Sequence, residues 1–135
     1  MEKYQFLEHT ADVKFQAFGK SLEEAFSNSA LAMFNAMYDG KVKGKIKKKV
    51  RAEGKDMESL LYNFLEELIV LFDGEGFFLA KVEKLKIKGN RLEAEVVGGK
   101  AEDYEIHIDV KAITYSEMIV EKKGDKFMCQ VVLDV

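Results

Sequence analysis

Several features are scarce or missing in this chain, and each absence narrows what the protein can be. Its single cysteine, Cys129, cannot form an internal disulfide, which fits a reducing, cytoplasmic compartment. No apolar run reaches the length that spans a membrane, and no signal-peptide pattern opens the chain, so we expect no membrane partner. The net charge of −3 provides no general attraction to nucleic acid, and no DNA partner is expected.

Common catalytic motifs are absent as well. The sequence has no P-loop, no G-x-G-x-x-G, no C-x-x-C and no nucleophile elbow. Its two histidines, His9 and His107, are not at helical metal spacing. A dispersed Ser/His/Asp triad stays open, but no motif points to one.

The length and composition favour one globular domain over residues 1–135. A chain of 135 residues with 47% apolar residues is long and apolar enough for a single hydrophobic core. We find no linker, low-complexity segment or convincing repeat.

Hydrophobic spacing and capping residues predict two helices. Ser21 and Glu24 form a capping box before a helix over Leu22–Met37, and Asp56 caps a second helix over Met57–Phe72. The second helix has the wider apolar stripe, so we expect it to be the central one, lying flat on a sheet.

Alternating apolar residues predict eight strands, with hairpin turns at Gly89-Asn90 and Gly124-Asp125. The glycines at 98 and 99 should end the strand before them. The predicted strands are Tyr4–Leu7, Val13–Phe18, Lys41–Arg51, Phe77–Lys88, Leu92–Val97, Glu105–Tyr115, Met118–Lys122 and Lys126–Asp134. This order predicts an α+β fold of two layers, with two helices packed on one face of a mostly antiparallel (mixed) β-sheet.

The stretch from Lys41 to Arg51 places its basic residues on one parity. As a strand it would turn a row that includes Lys43, Lys45 and Lys47 outward. A solvated edge strand, whose lysines deter edge pairing, is the favoured interpretation, at roughly two to one. The alternative is a docking surface for RNA or an acidic partner, but no aromatic residue interleaves for base stacking.

The residues His9-Thr10-Ala11-Asp12 stand in a polar break before an apolar strand, where a small domain places chemistry. A simple turn, bonded by Thr10 and Asp12, explains this stretch equally well. The chain closes on Leu133-Asp134-Val135, so Asp12, Asp134 and the Val135 carboxylate are candidate ligands for one divalent cation. Such hard oxygen ligands favour Ca²⁺, Mg²⁺ or Mn²⁺. We expect His9 to support the loop through a hydrogen bond rather than to bind the metal.

Four blocks of the chain resemble the archease family, in the same order and at a similar length. They are His9–Asp12, the helix segment Leu60–Leu68, Val110–Tyr115 and the terminal Val131–Val135. The resemblance implies an accessory protein of RNA processing, not itself an enzyme. Members stimulate the RtcB-type RNA ligase of tRNA splicing by promoting guanylylation of a ligase histidine and multiple turnover. The metal-site acids of the family match Asp12 and Asp134, and its terminal carboxylate matches Val135.

Two positions depart from the family pattern, and two other functions compete with the leading one. Lys14 stands where members often have Gly, and Ser116 where they often have His, so no role is assigned to Ser116. One rival function is a binding module for tRNA or a tRNA methyltransferase, carried by the basic row. The other is a metal-dependent hydrolase using His9, Asp12 and Asp134, which the lack of a nucleophile or base constellation disfavours.

Overall fold

A computed structural model describes residues 2–8 and 12–135 of the chain. The strands are β1 (Tyr4–Leu7), β2 (Val13–Gly19), β3 (Ile46–Glu53), β4 (Phe77–Lys88), β5 (Arg91–Lys100), β6 (Ala112–Lys123) and β7 (Lys126–Asp134). The helices are α1 (Leu22–Met37) and α2 (Met57–Glu75), and a single 3-10 turn spans Ala101–Asp103. The α+β class is confirmed.

The described strands divide between two sheets. A four-stranded sheet has the order β1-β2-β7-β6 and a three-stranded sheet has the order β3-β5-β4, and every pairing described is antiparallel. The inner face of each sheet packs on the helices, because alternate residues such as Phe15, Val131 and Val96 are fully buried. We call these the N–C sheet, which holds both chain ends, and the charged sheet.

Both helices begin where their caps predict. The Ser21 side chain accepts a hydrogen bond from the Glu24 backbone N–H, and Asp56 accepts one from Ser59 N–H in a reciprocal capping box. Helix α2 runs three residues beyond the predicted end and stops at Gly76, whose φ of 65° only glycine adopts without strain.

The expectation that α2 is the central helix is wrong. Helix α1 buries nine residues and α2 six, and α1 packs against β2 and β7 of one sheet and β4 of the other. Small side chains at Ala25, Ser29 and Ala30 are fully buried on α1, and a Cβ on Gly19, at the end of β2, would stand 2.4 Å from the Ala25 backbone nitrogen. The wider apolar stripe of α2 therefore did not identify the more enclosed helix.

Three predicted strand boundaries need correction. Residues 105–111 form no strand ladder, because two of their N–H groups bond elsewhere: His107 to the Met37 carbonyl and Lys111 to the Asp134 carbonyl. The separate strand at Met118–Lys122 belongs to β6. Strand β3 begins at Ile46 rather than Lys41.

The glycines at 98 and 99 do not end β5, which continues to Lys100. A Cβ on Gly98 would stand 2.0 Å from the Phe78 carbonyl oxygen. Glycine here therefore allows neighbouring backbones to approach, and the strand carries on through it. Both predicted hairpin turns are confirmed, with Gly89 and Gly124 at positive φ.

Candidate metal centre

The candidate metal ligands lie at one end of the N–C sheet, where the first and last long strands are neighbours. Strands β2 and β7 pair antiparallel, and their ladder opens with Val13 opposite Leu133. Continuing this register by one residue sets Asp12 opposite Asp134. Side chains at directly opposed positions share a face, with Cβ atoms about 5 Å apart. The register thus predicts that two acids far apart in sequence lie near each other at this end of the sheet.

The last two residues of the chain are held in place. The Lys111 N–H donates to the Asp134 carbonyl at 2.8 Å, and Ala112 pairs with Asp134 in the β6–β7 ladder. The Asp134 side chain is exposed, as its parity opposite the buried Leu133 requires. The Val135 side chain is partly buried against the core. An anchored terminal residue keeps its carboxylate in a restricted region beside Asp134.

A cleft of about 1090 Å³ opens at this end of the molecule. It is lined by the end of β1, the start of β2, the C-terminal part of α1 and residues 107–108. Asp12 is one of the lining residues, so the candidate acid faces a space large enough for part of a partner molecule.

Most lining residues were not assigned to a site by sequence reasoning, and two of them, Asp39 and His107, have side chains that can bind a cation. Asp39 follows α1, and His107 is fixed by its backbone bond to Met37 at 2.9 Å. The last turn of α1 has no basic residue. An acid at the negative end of a helix dipole is unfavourable without a cation nearby. An acid that follows a helix end without a basic residue can be recognised in the sequence, although Asp39-Gly40 is also explained simply as the end of the helix.

Lys14 provides the positive charge at the margin of the site. Its ammonium lies 3.0 Å from the Glu117 carboxylate, and its side chain is only 16% exposed. The departure from the family glycine therefore has a structural role here, because Lys14 connects β2 to the irregular part of β6. Ser116 is exposed in that same irregular part.

The fit to a divalent cation rests on the chemistry and placement of the donors. Opposed carboxylates repel each other, and a hard cation shared between them relieves that repulsion. Within residues 2–8 and 12–135, no three His, Cys, Asp or Glu side chains already stand together as a ligand set. The predicted set has two side-chain carboxylates and a terminal one, so it is consistent with this result. His9 lies outside the described residues, and its supporting role stays a prediction.

The predicted basic row lies only partly on a strand. Lys47 is exposed on β3, an edge strand of the charged sheet, whereas the exposed Lys43 and Lys45 precede it. From Ile46 to Glu53 the exposure alternates as predicted. The row is partly neutralised: Lys47 lies 3.8 Å from Glu83, and Arg51 lies 3.6 Å from Glu93.

Comparison with known proteins gives a consistent result. The model of the Archease protein family matches residues 4–135. The chain is 45% identical to the protein archease of Pyrococcus abyssi over the full length of both chains. It is 39% identical to the protein archease of Sulfurisphaera tokodaii, again over both full lengths.

Two solved structures share the fold. The solution structure of protein 1598 from Methanobacterium thermoautotrophicum has a TM-score of 0.82 and 32% identity, and each chain covers all of the other. A crystal structure from Thermotoga maritima, described as an archease and possible chaperone, has a TM-score of 0.67 and 22% identity. That alignment covers 96% of this chain and 94% of the other. Within the described residues, no helix is long and apolar enough to cross a membrane.

Proposed function

Because this chain belongs to the archease family, we propose that it is a metal-binding accessory protein that activates an RtcB-type RNA ligase in tRNA splicing or RNA repair. In this role it promotes guanylylation and multiple turnover of the ligase and catalyses no reaction itself. The observation that supports the proposal is the β2–β7 register, in which Val13 pairs with Leu133, so that Asp12 and Asp134 are the next residue on each side, and Asp12 lines a cleft.

The proposed ligands are Asp12, Asp134 and the Val135 carboxylate. Asp39 lines the same cleft as Asp12 but is not part of this ligand set. The bound Ca²⁺, Mg²⁺ or Mn²⁺ supplies positive charge that can attract phosphate groups. The residues of this chain hold the ion at an exposed strand end, next to a space that a ligase segment can enter. At the rim, Lys14 is ion-paired with Glu117, so this pair adds no net charge beside the ion.

The test is a reconstituted reaction with an RtcB-type ligase, GTP and cleaved RNA. Covalent guanylylation and ligation turnover are measured separately, with the accessory protein limiting. We expect Asp12→Asn and Asp134→Asn each to remove most of the stimulation while the melting temperature without metal changes little. A two-residue C-terminal extension should also weaken stimulation, because it moves the free carboxylate away from Val135.

A matched control is Asp103→Asn, since Asp103 is an exposed aspartate in the 3-10 turn. It should stimulate like the unaltered chain. Equal stimulation by the control and both site variants would contradict the metal-site proposal. Reaction of GTP or RNA without ligase would instead favour the metal-dependent hydrolase.

The second candidate is a module that binds tRNA or a tRNA methyltransferase. The exposure of Lys43, Lys45 and Lys47 supports it, because phosphate contacts need accessible cations. Retained RNA binding together with absent ligase stimulation would favour this module.

A further inference from the structure

An exposed pair of stacked tyrosines lies outside the candidate metal centre. Tyr62 of α2 and Tyr115 of β6 have ring centroids 4.3 Å apart and ring planes only 8° from parallel. Tyr115 is 55% exposed, which is unusual in a chain whose other large rings mostly fill the core. Stacking on Tyr62 restricts rotation of the Tyr115 side chain. The exposed face of the Tyr115 ring therefore loses little conformational entropy when a ligand binds.

A bulge in β6 places Tyr115 at this position. The β6–β7 register shifts between Thr114 and Ile119, and Glu117 within it has a φ of 56°. Gln130 Nε2 donates to the Glu117 carbonyl at 2.8 Å, which fixes the bulge from β7. Bulges of this kind re-aim side chains and concentrate next to binding sites.

The helix that carries Tyr62 is acidic. Helix α2 carries five carboxylates and no Lys or Arg. Burial, followed by the charges of Asp56 and Glu66, raises the pKa of Tyr115. Burial, followed by the charge of Glu66 and a hydrogen bond to it, raises the pKa of Tyr62. Glu66 lies one helical turn beyond Tyr62 on α2, and Asp56 caps the start of the same helix, so both carboxylates belong to the helix that carries the stacked pair.

An exposed apolar side chain, Val70, extends the same surface. Residues 62, 66 and 70 are spaced four apart on α2, so Tyr62, Glu66 and Val70 follow one another along one face. Val70 is 57% exposed. We name the surface formed by Asp56, Tyr62, Glu66, Val70 and Tyr115 the tyrosine platform.

We infer that the tyrosine platform binds an arginine side chain from a cationic segment of a protein partner. A guanidinium stacks flat on an aromatic face and pairs with carboxylates through its planar fork, so it matches an exposed Tyr115 flanked by Asp56 and Glu66. An ammonium matches the charge but not the plane. RNA also stacks on tyrosine, but its phosphates are repelled by the two carboxylates. The inference does not rest on the proposed ligase activation.

The experiment uses the full chain labelled with ¹⁵N and two synthetic peptides of equal charge. One peptide alternates Arg and Gly, and the other alternates Lys and Gly. In an NMR titration we expect the Arg peptide to shift the amide resonances of Tyr62, Glu66 and Tyr115 first. The Lys peptide should bind more weakly, and added salt should weaken both without removing the difference.

Single substitutions test which residues of the tyrosine platform bind the Arg peptide. Tyr115→Ala should weaken Arg-peptide binding about two- to five-fold, whereas Tyr115→Phe should keep it, because the stacked ring remains. Glu66→Gln should reduce the preference for Arg over Lys. Glu102→Gln removes an exposed carboxylate elsewhere in the chain and should change nothing. Overlay of each variant spectrum with the parent spectrum establishes that the fold is kept.

Three results would overturn the inference. One is binding of the Arg peptide to Tyr115→Ala as tightly as to the unaltered chain. Another is equal binding of the two peptides to every variant, which is the behaviour of a general acidic surface. The third is a single-stranded oligouridylate that shifts Tyr115 where the Arg peptide does not, which would make the platform a base-stacking site.

Discussion

The outer faces of the two sheets are built differently. On the charged sheet, Lys and Arg of β3 and β4 stand around Glu93 and Glu95 of β5, and the side chains at Arg51–Glu93 are 80% and 71% exposed. On the N–C sheet, amides run across the strands: Gln5 donates to Gln16, and Gln16 donates to Gln130, each at 2.9 Å.

The difference shows which sheet has a specific role. Exposed ion pairs on a solvated face contribute little to stability and keep the chain in solution. The amide chain instead ends on the bulge that carries Tyr115, and the same sheet carries Asp12 and Asp134 at its end. Both sheets contain register shifts, two in the β4–β5 ladder and one in the β6–β7 ladder, but only in the N–C sheet does a chain of side-chain amides lead to the shifted segment. Five measurements, the first two on Cys129, follow from this contrast.

The largest effect should be the protection of Cys129 on the inner face of the N–C sheet. The thiol is fully buried, and burial raises its pKa to about 12. Labelling by a thiol reagent at pH 8 should be slower than in denaturant by at least about a thousand-fold, since the thiol reacts only when the sheet opens.

The same thiol gives a pH dependence of stability. The unfolded thiol ionises near its ordinary pKa of 9.0 and the folded one only near 12, so this group contributes stability below pH 9 that is lost as the pH rises towards 12. Cys129→Ala should reduce the loss of unfolding free energy between pH 9 and pH 12.

In the labelling experiment, fast reaction of Cys129 under native conditions would contradict the predicted protection, because it would show that the centre of the N–C sheet opens readily.

A divalent cation should have the next largest effect, and only at the end of the N–C sheet. At about one hundred times its dissociation constant, the ion should stabilise the chain by about 2.7 kcal/mol. We expect the rise in melting temperature to disappear in Asp134→Asn and to survive in Asp103→Asn. A rise of equal size in both variants would place the ion elsewhere.

Removal of Gln130 should be less costly but clearly measurable. Gln130 is 7% exposed, accepts from Gln16 and donates to the Glu117 carbonyl. Gln130→Ala leaves both partners without their bond and should cost about 1–3 kcal/mol in urea unfolding. The matched change on the charged sheet, Glu93→Gln, should cost less than about 1 kcal/mol. Equal losses of unfolding free energy in Gln130→Ala and Glu93→Gln would contradict the difference between the outer faces of the two sheets.

The smallest effect should come from the basic row. Neutralising Lys43, Lys45 and Lys47 to Gln should leave ligase stimulation and stability nearly unchanged, because these side chains are exposed. The assay is the reconstituted ligation reaction at two salt concentrations. A large loss that shrinks with added salt would show that the row docks RNA or a partner.

The local elements could be predicted from the sequence alone. Capping by Ser21 and Asp56 placed both helix starts, and the glycine turns at Gly89 and Gly124 placed two hairpins. These signals lie within a few residues of the feature they control, so they can be read without knowing the rest of the fold. The family resemblance also indicated Asp12 and Asp134 as candidate metal ligands, but the sequence does not give the distance between the two acids.

Only the tertiary structure decided the relations between distant residues. The β2–β7 register pairs Val13 with Leu133, the residues next to Asp12 and Asp134. The bulge in β6 brings Tyr115 onto Tyr62, and α1 rather than α2 becomes enclosed. The stretch from residue 105 to 111 alternates in polarity like a strand. Its N–H groups at His107 and Lys111 instead donate to the carbonyls of Met37, at the end of α1, and Asp134, at the end of β7. Polarity patterns report which side of a segment faces the core. They do not report which backbone lies alongside it, because that depends on the packing of segments far away in the chain.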